Sequence, residues 1–168
     1  MAKAIQTAYA YCAGLIDGEG CISIDRKKRY RSNNIGNNQY KNIIPKYSWD
    51  YDYGMMIIVV TKDMKLTEYL RGIFSGNIYW TNRKNPDRRF RRWVIQSNLA
   101  FKALKKMLPY FILKKEQAQN AIEFQKTINR QFQKNKHTKV IPEKDLQIRE
   151  KFFERQKQLK RAVVETNS

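Results

Sequence analysis

Two carboxylates, Asp17 and Glu19, close the segment Tyr11-Cys12-Ala13-Gly14-Leu15-Ile16-Asp17-Gly18-Glu19-Gly20-Cys21-Ile22 in a chain that is otherwise strongly basic. Ahead of them Ala10, Gly14 and Gly18 recur every four residues. On a helix that spacing makes one face poor in side chains, where a second backbone can approach closely. If two such helices pack along that face, their Glu19 residues meet near the dyad. Two close carboxylates repel unless a cation sits between them. Oxygen-only ligands favour ions of the Mg2+ type, which keep several waters. A metal between two acids beneath a phosphodiester is the arrangement for metal-assisted phosphoryl transfer. Asp17 alone reads equally well as a structural residue, because a carboxylate at a helix end can cap neighbouring backbone N–H groups.

The rest of the composition suits a polyanionic partner. The chain has 168 residues with 34 Lys and Arg against 15 Asp and Glu, a formal net charge of +19 and a pI near 10.0. So large an excess repels itself unless an anion neutralises it, and nucleic acid is the default partner. No short amphipathic segment concentrates the charge, which disfavours a membrane surface. No apolar run has the length of a bilayer span, and residues 1–7 carry no apolar block of signal-peptide length. The expectation is therefore an intracellular protein in a reducing compartment, a prokaryotic cytoplasm or an organelle matrix. Cys12 and Cys21 stand outside CxxC spacing with no His nearby, which argues against zinc and for two free thiols. His137, the single His, falls in a linker.

The elements that must position the two acids follow from hydrophobic period. Apolar residues Ile5, Ala8, Tyr9, Cys12 and Leu15/Ile16 predict a helix over 4–17, ended by a non-helical turn at Gly18-Glu19-Gly20. Strict alternation predicts a strand over 21–31, with Ile22 and Ile24 on one face. The Asn-rich stretch 32–50 has no period and reads as a long loop or irregular hairpin. A strand over 52–61 follows, then a helix over 63–74 with Asp63 as N-cap and Leu66, Tyr69, Leu70 and Ile73 on its apolar side. Strands over 76–83 and 88–96 flank the turn Lys84-Asn85-Pro86-Asp87. Helices are predicted over 98–108, stopping at Pro109, over 113–132, and over 142–162 with Pro142 in the first turn. This is an α+β pattern: one antiparallel sheet with helices on one face. Residues 1–135 read as the functional domain and 136–168 as a linker with a charged C-terminal helix. No internal repeat is present.

The nine residues Cys12 to Gly20 resemble the LAGLIDADG motif of homing endonucleases. Cys12 replaces the first Leu, Gly18 the second Ala and Glu19 the second Asp, which keeps the metal-binding carboxylate. The resemblance extends over about residues 9–121, through Thr61-Lys62-Asp63 and through Leu108-Pro109-Tyr110-Phe111-Ile112-Leu113-Lys114-Lys115-Glu116-Gln117-Ala118. It implies a saddle-shaped αββαββα half-domain whose concave sheet lies in the DNA major groove and whose motif helices form a dimer axis. It implies Mg2+ or Mn2+ held by Glu19, with the Gly20 carbonyl as a further ligand. Lys114 matches the family's active-site lysine, and Lys65 falls where a basic residue often sits. Thr61 stands where a Gln or Asn commonly positions the attacking water. With one motif per chain, the resemblance implies a homodimer meeting through Ala10, Ala13, Gly14 and Gly18. The function implied is site-specific cutting of double-stranded DNA at a long pseudo-palindromic target, leaving short 3′ overhangs. The alternatives are a maturase that binds intron RNA and a non-catalytic DNA-binding regulator.

The groove-reading surface is expected on the strand faces turned away from the core. Opposite Ile22 and Ile24 stand Ser23, Asp25, Lys27, Arg29 and Arg31, small, acidic and basic groups able to address different base edges. The second hairpin adds Arg83, Lys84, Arg88 and Arg92, with Gln96 on the same face. Arg89 and Arg91 share the other face with Trp93 and Ile95, which suit a core. The Asn- and Tyr-containing segment 32–41 is expected to extend the contacts outward.

Overall fold

The first helix runs directly into the first strand, with no turn between them. In the computed structural model, which describes residues 2–28, 51–81, 89–134 and 142–165, α1 (Ala2–Glu19) passes straight into β1 (Gly20–Lys28). The expected turn at Gly18 is therefore absent: Gly18 is helical. The glycine that matters is Gly20. A Cβ there would lie 2.8 Å from Ile16 Cα and 2.9 Å from the Ile16 carbonyl oxygen. Only a residue without a side chain lets the strand fold back so tightly under the helix.

Next come β2 (Tyr51–Thr61), α2 (Met64–Phe74), β3 (Asn77–Trp80), β4 (Arg91–Gln96) and α3 (Ser97–Met107). A single 3-10 turn (Leu108–Tyr110) leads to α4 (Lys115–Lys134) and α5 (Glu143–Glu165). Pro109 sits at the start of that turn, where its missing N–H costs no helical bond. The strands form one antiparallel sheet in the order β1-β2-β4-β3. As expected, this is an α+β fold. The expected loop 32–50 and turn 84–87 lie outside the described residues.

The register sorts the side chains. Ile22 pairs with Ile57 and Ile24 with Met55. Ile57 pairs in turn with Ile95, and Val59 with Trp93. All seven are buried and pack with α1, α3 and α4 into one core. Truncating one of them, as in Ile22→Ala, would cost about 2–5 kcal/mol. Asp63 caps α2 as predicted, its carboxylate accepting from the Lys65 N–H at 2.8 Å and the Leu66 N–H at 3.4 Å.

The apolar side of α2 differs from expectation. Thr67, Leu70 and Phe74 are buried, while Tyr69 is 40% exposed and meets Tyr11 of α1 edge-on at 5.5 Å. Thr67 tolerates burial because its hydroxyl donates to the Met64 carbonyl at 2.9 Å. After α2 the chain reverses through Ser75 at φ 62° and Gly76 at φ 101°. Any Cβ at Gly76 would strike Ile95 at 2.3 Å, and the Ser75 carbonyl accepts from Trp93 Nε1 at 2.9 Å.

The C-terminal helix is pinned to the rest of the fold by polar groups. Gln156 Nε2 donates to the Ile22 carbonyl at 2.8 Å and Asn120 Nδ2 to Gln156 Oε1 at 2.8 Å. Glu150 accepts from Tyr53 and pairs with Arg26 at 2.5 Å. Burial first, and then the hydrogen bond to Glu150, push the Tyr53 phenol up to about 12. No helix among the described residues is long and apolar enough to cross a membrane.

Candidate active site and nucleic-acid interface

At the tip of α1 the helical period separates the two acids. Asp17 turns inward and is 7% exposed. Its carboxylate accepts from the backbone N–H groups of Ile112 (2.8 Å), Leu113 (3.3 Å) and Lys114 (2.8 Å). It thereby holds the loop before α4 against the end of α1, the capping role that its position allowed. Glu19 turns outward, is exposed and accepts no hydrogen bond among the described residues.

Lys114 follows from the same loop. Its amine donates to the Ile16 carbonyl at 3.0 Å and to the Asp17 carbonyl, satisfying two of the carbonyls that the end of α1 leaves open. Burial pushes the amine below its usual range, against the pull of Asp17, Cys21 and Glu19. Lys114 and Glu19 are thus brought to one helix tip.

Thr61 and Lys65 sit differently. Thr61 is two residues beyond Val59, the partner of Gly20, so it lies at the β2 end nearest the α1 tip. Its hydroxyl accepts from the Asp63 N–H at 3.1 Å. Lys65 is exposed and lines a cleft of about 570 Å³ with Ala8, Tyr11 and Tyr69, along the earlier turns of α1. No described contact joins either residue to Glu19. Among the described residues, no three His, Cys, Asp or Glu side chains gather as a metal site. Among the described residues, Glu19 is a carboxylate at this tip that no hydrogen bond commits.

The outward face of α1 is open at Gly14 and Gly18, where an added Cβ would meet nothing within 4 Å. Ala10 is half-buried. Ala13 is a correction: it is 0% exposed, packed with Cys12 and Ile16 in the chain's own core, and unavailable to a second copy. The exposed line is Thr7, Tyr11, Gly14 and Gly18, spaced four, three and four residues apart. Tyr11, 56% exposed, was missed in the sequence because it does not share the small-residue pattern.

On the outer face of the sheet the register aligns Asp25 with Gly54, and Ser23 with Met56, which pairs with Gln96. Arg92 pairs with Val60 and Tyr79. Lys27, Arg92 and Gln96 therefore stand where expected, on the face away from Trp93 and Ile95. Arg91 turns to the core side and pairs with Glu68 at 2.5 Å. Ser23 is a second correction. It shares the outer face but is only 8% exposed; its hydroxyl donates to Asp25 Oδ1 at 2.8 Å and accepts from Lys160 Nζ at 3.0 Å. Lys160 belongs to α5, and nothing in the sequence signals that this helix reaches β1. Arg29, Arg31, Arg83, Lys84 and Arg88 lie outside the described residues, as does the segment 32–41.

This arrangement has relatives. A family model described as LAGLIDADG endonuclease matches residues 12–130. No curated protein matches the chain. Among solved structures, the homing endonuclease I-CvuI on a DNA target is 19% identical, with a TM-score of 0.58 over 74% of this chain and 69% of that one. The archaeal intron-encoded homing endonuclease I-Vdi141I, complexed with DNA, is 14% identical, with a TM-score of 0.64 over 91% and 84%. I-SmaMI, bound to an uncleaved DNA target, is 17% identical, with a TM-score of 0.56; it matches 87% of this chain but only 43% of its own. With the motif segment from Cys12, the whole described sheet and most of α4 inside a match covering more than half of its length, the chain belongs to the LAGLIDADG endonuclease family.

Proposed function

We propose that this endonuclease is a homing endonuclease that cuts double-stranded DNA as a homodimer, at a long pseudo-palindromic site, with a divalent metal ion shared between two Glu19 carboxylates. The observation that carries this reading is Glu19: an exposed carboxylate that accepts no hydrogen bond from the described residues, at the end of an open helix face, in a chain of net charge +19. A lone acid beside a polyanion repels it, so its presence there asks for a cation. Two chains meeting along Gly14 and Gly18 would bring two such acids together, with the Gly20 carbonyls as further oxygen ligands. That donor set is all oxygen and suits Mg2+ or Mn2+. Bound there, the ion would acidify a water and neutralise charge on the scissile phosphate.

The protein's own groups complete the chemistry. Lys114 would set its cation beside the phosphate, where charge develops. Support comes from its amine already lying at the α1 tip with Glu19. Thr61 and Lys65 would order water and the flanking phosphate. The product ends would be short 3′ overhangs, one cut from each half of the dimer. Support for the dimer comes from I-SmaMI, whose chain has more than twice the length that this fold matches in it. A C2 pair of single units would supply the second half.

The test is a selection for cleaved members of a random DNA library, run with Mg2+ and with a chelator, and sedimentation of the complex on a recovered site. Two chains per duplex and metal-dependent cutting are expected. One chain per duplex cutting both strands would refute the dimer, and cutting in chelator would refute the metal. On the same site, Lys114→Met should slow single-turnover cleavage far more than it weakens binding; an affinity loss alone would return Lys114 to capping α1.

A further inference from the structure

Among the groups on the outer sheet face, one set is organised from outside the sheet. Gln156 and Lys160 are one turn apart on α5 and share a face. Gln156 holds the Ile22 carbonyl at 2.8 Å, and Lys160 reaches Ser23 at 3.0 Å. The directions of the bonds are then fixed. An ammonium only donates, so the Ser23 oxygen accepts from Lys160, and its proton goes to Asp25 Oδ1 at 2.8 Å. Asp25 Oδ2 accepts no hydrogen bond among the described residues. The carboxylate faces a shallow cleft of about 210 Å³ shared with Lys27, Asp52, Gly54, Met56 and Gln96.

We propose that Lys160 and Ser23 are positioning residues for base recognition, and that Asp25, held by them, reads a cytosine in each half-site. The proposal rests on the DNA-cutting reading above. An acid on a surface that faces phosphates is unfavourable by itself, and Lys160 offsets that cost from the side, leaving the groove free. The bridge through Ser23 fixes the carboxylate plane and leaves one oxygen to accept. In the major groove only cytosine N4 and adenine N6 donate. Adenine carries the N7 lone pair beside its amine, which repels a carboxylate; cytosine has a C–H there. The match is therefore cytosine.

The test measures binding and cleavage of the full chain on its selected site, with every half-site position varied to all four bases in turn. Wild type should prefer cytosine at one position on the order of tenfold. Asp25→Asn should erase that preference and leave the others. Lys160→Met and Ser23→Ala should relax the same position, and Lys160→Arg should restore it. Thermal melting of each variant checks folding. If Lys160→Met weakens all sequences alike and lowers the salt slope by about one per half-site, Lys160 is a phosphate anchor and the proposal fails. If Ser23→Ala keeps the wild-type profile, or Asp25→Asn keeps the cytosine preference, it fails as well. A wild-type chain that binds no site in preference to random DNA would instead overturn the underlying DNA reading.

Discussion

Asp17 and Glu19 are the same chemistry two residues apart, and the fold uses them in opposite ways. At about 100° per residue they point to nearly opposite sides of α1. Asp17 is buried and holds three backbone N–H groups, so its charge is committed to joining α1 to α4. Glu19 is exposed and holds none among the described residues. The same division runs along the whole helix: Cys12, Ala13 and Ile16 face the core, while Tyr11, Gly14 and Gly18 face out. One helix thus carries a structural side and a functional side. Substitutions on the two sides should fail in different ways.

The largest contrast is between the acids themselves. Glu19→Gln should lower cleavage on the order of a thousandfold or more while leaving the denaturation midpoint and DNA binding unchanged. Asp17→Asn should act on the fold instead, lowering stability by about 2–3 kcal/mol as charged acceptors are lost, seen in urea titrations. Equal stability losses for the two variants would erase the distinction.

A smaller contrast pairs adjacent residues. Ala13→Leu overpacks the core and should cost about 1–3 kcal/mol in the single chain. Gly14→Leu has open space and gains helix propensity, so the single chain should become more stable by about 0.5–1 kcal/mol. Its dimer on DNA should dissociate and both cuts should slow together. A Gly14→Leu variant that sediments as a dimer and cuts normally would remove this face from the interface.

The smallest contrast is between the thiols. Cys12 is fully buried, and burial pushes its thiol up to about 11. Cys21 is partly exposed on the outer face of the sheet. At pH 8 one thiol per native chain should react quickly with a disulfide reagent, and Cys21→Ser should abolish that phase. Because the folded Cys12 value lies above its ordinary one, the stability it contributes is whole below about pH 9 and declines as pH rises toward 11. Rapid labelling of both thiols would show the inward side of α1 to be open.

Period carried most of the sequence reading. It separated Ile22 and Ile24 from Lys27, and Trp93 and Ile95 from Arg92 and Gln96, because alternation follows directly from strand geometry. The Asp63 cap was equally local. Period tells direction, however, and not depth. Ser23 points outward as expected, yet Lys160, 137 positions later, closes over it. Ala13 adjoins Gly14 in the small-residue stretch, and only the packing of α1 on α3 and the sheet decides that one is core and the other surface. The ring of Tyr69 favours an inward place by period alone, while Thr67, whose hydroxyl finds the Met64 carbonyl, takes the buried one.

The hold of Gln156 on Ile22 has a consequence for how the protein is made. The two residues are 134 positions apart. At a synthesis rate of roughly 5–20 residues per second, on the order of ten seconds pass between them. Through that interval the Ile22 carbonyl, on the outermost strand of the described sheet, waits without its amide partner. A neighbouring nascent chain offers backbone N–H groups to the carbonyl that the Gln156 side-chain amide later engages, and exposed strand edges pair readily. The yield of folded protein should therefore depend on the spacing of ribosomes on the message and on the speed at which α5 arrives.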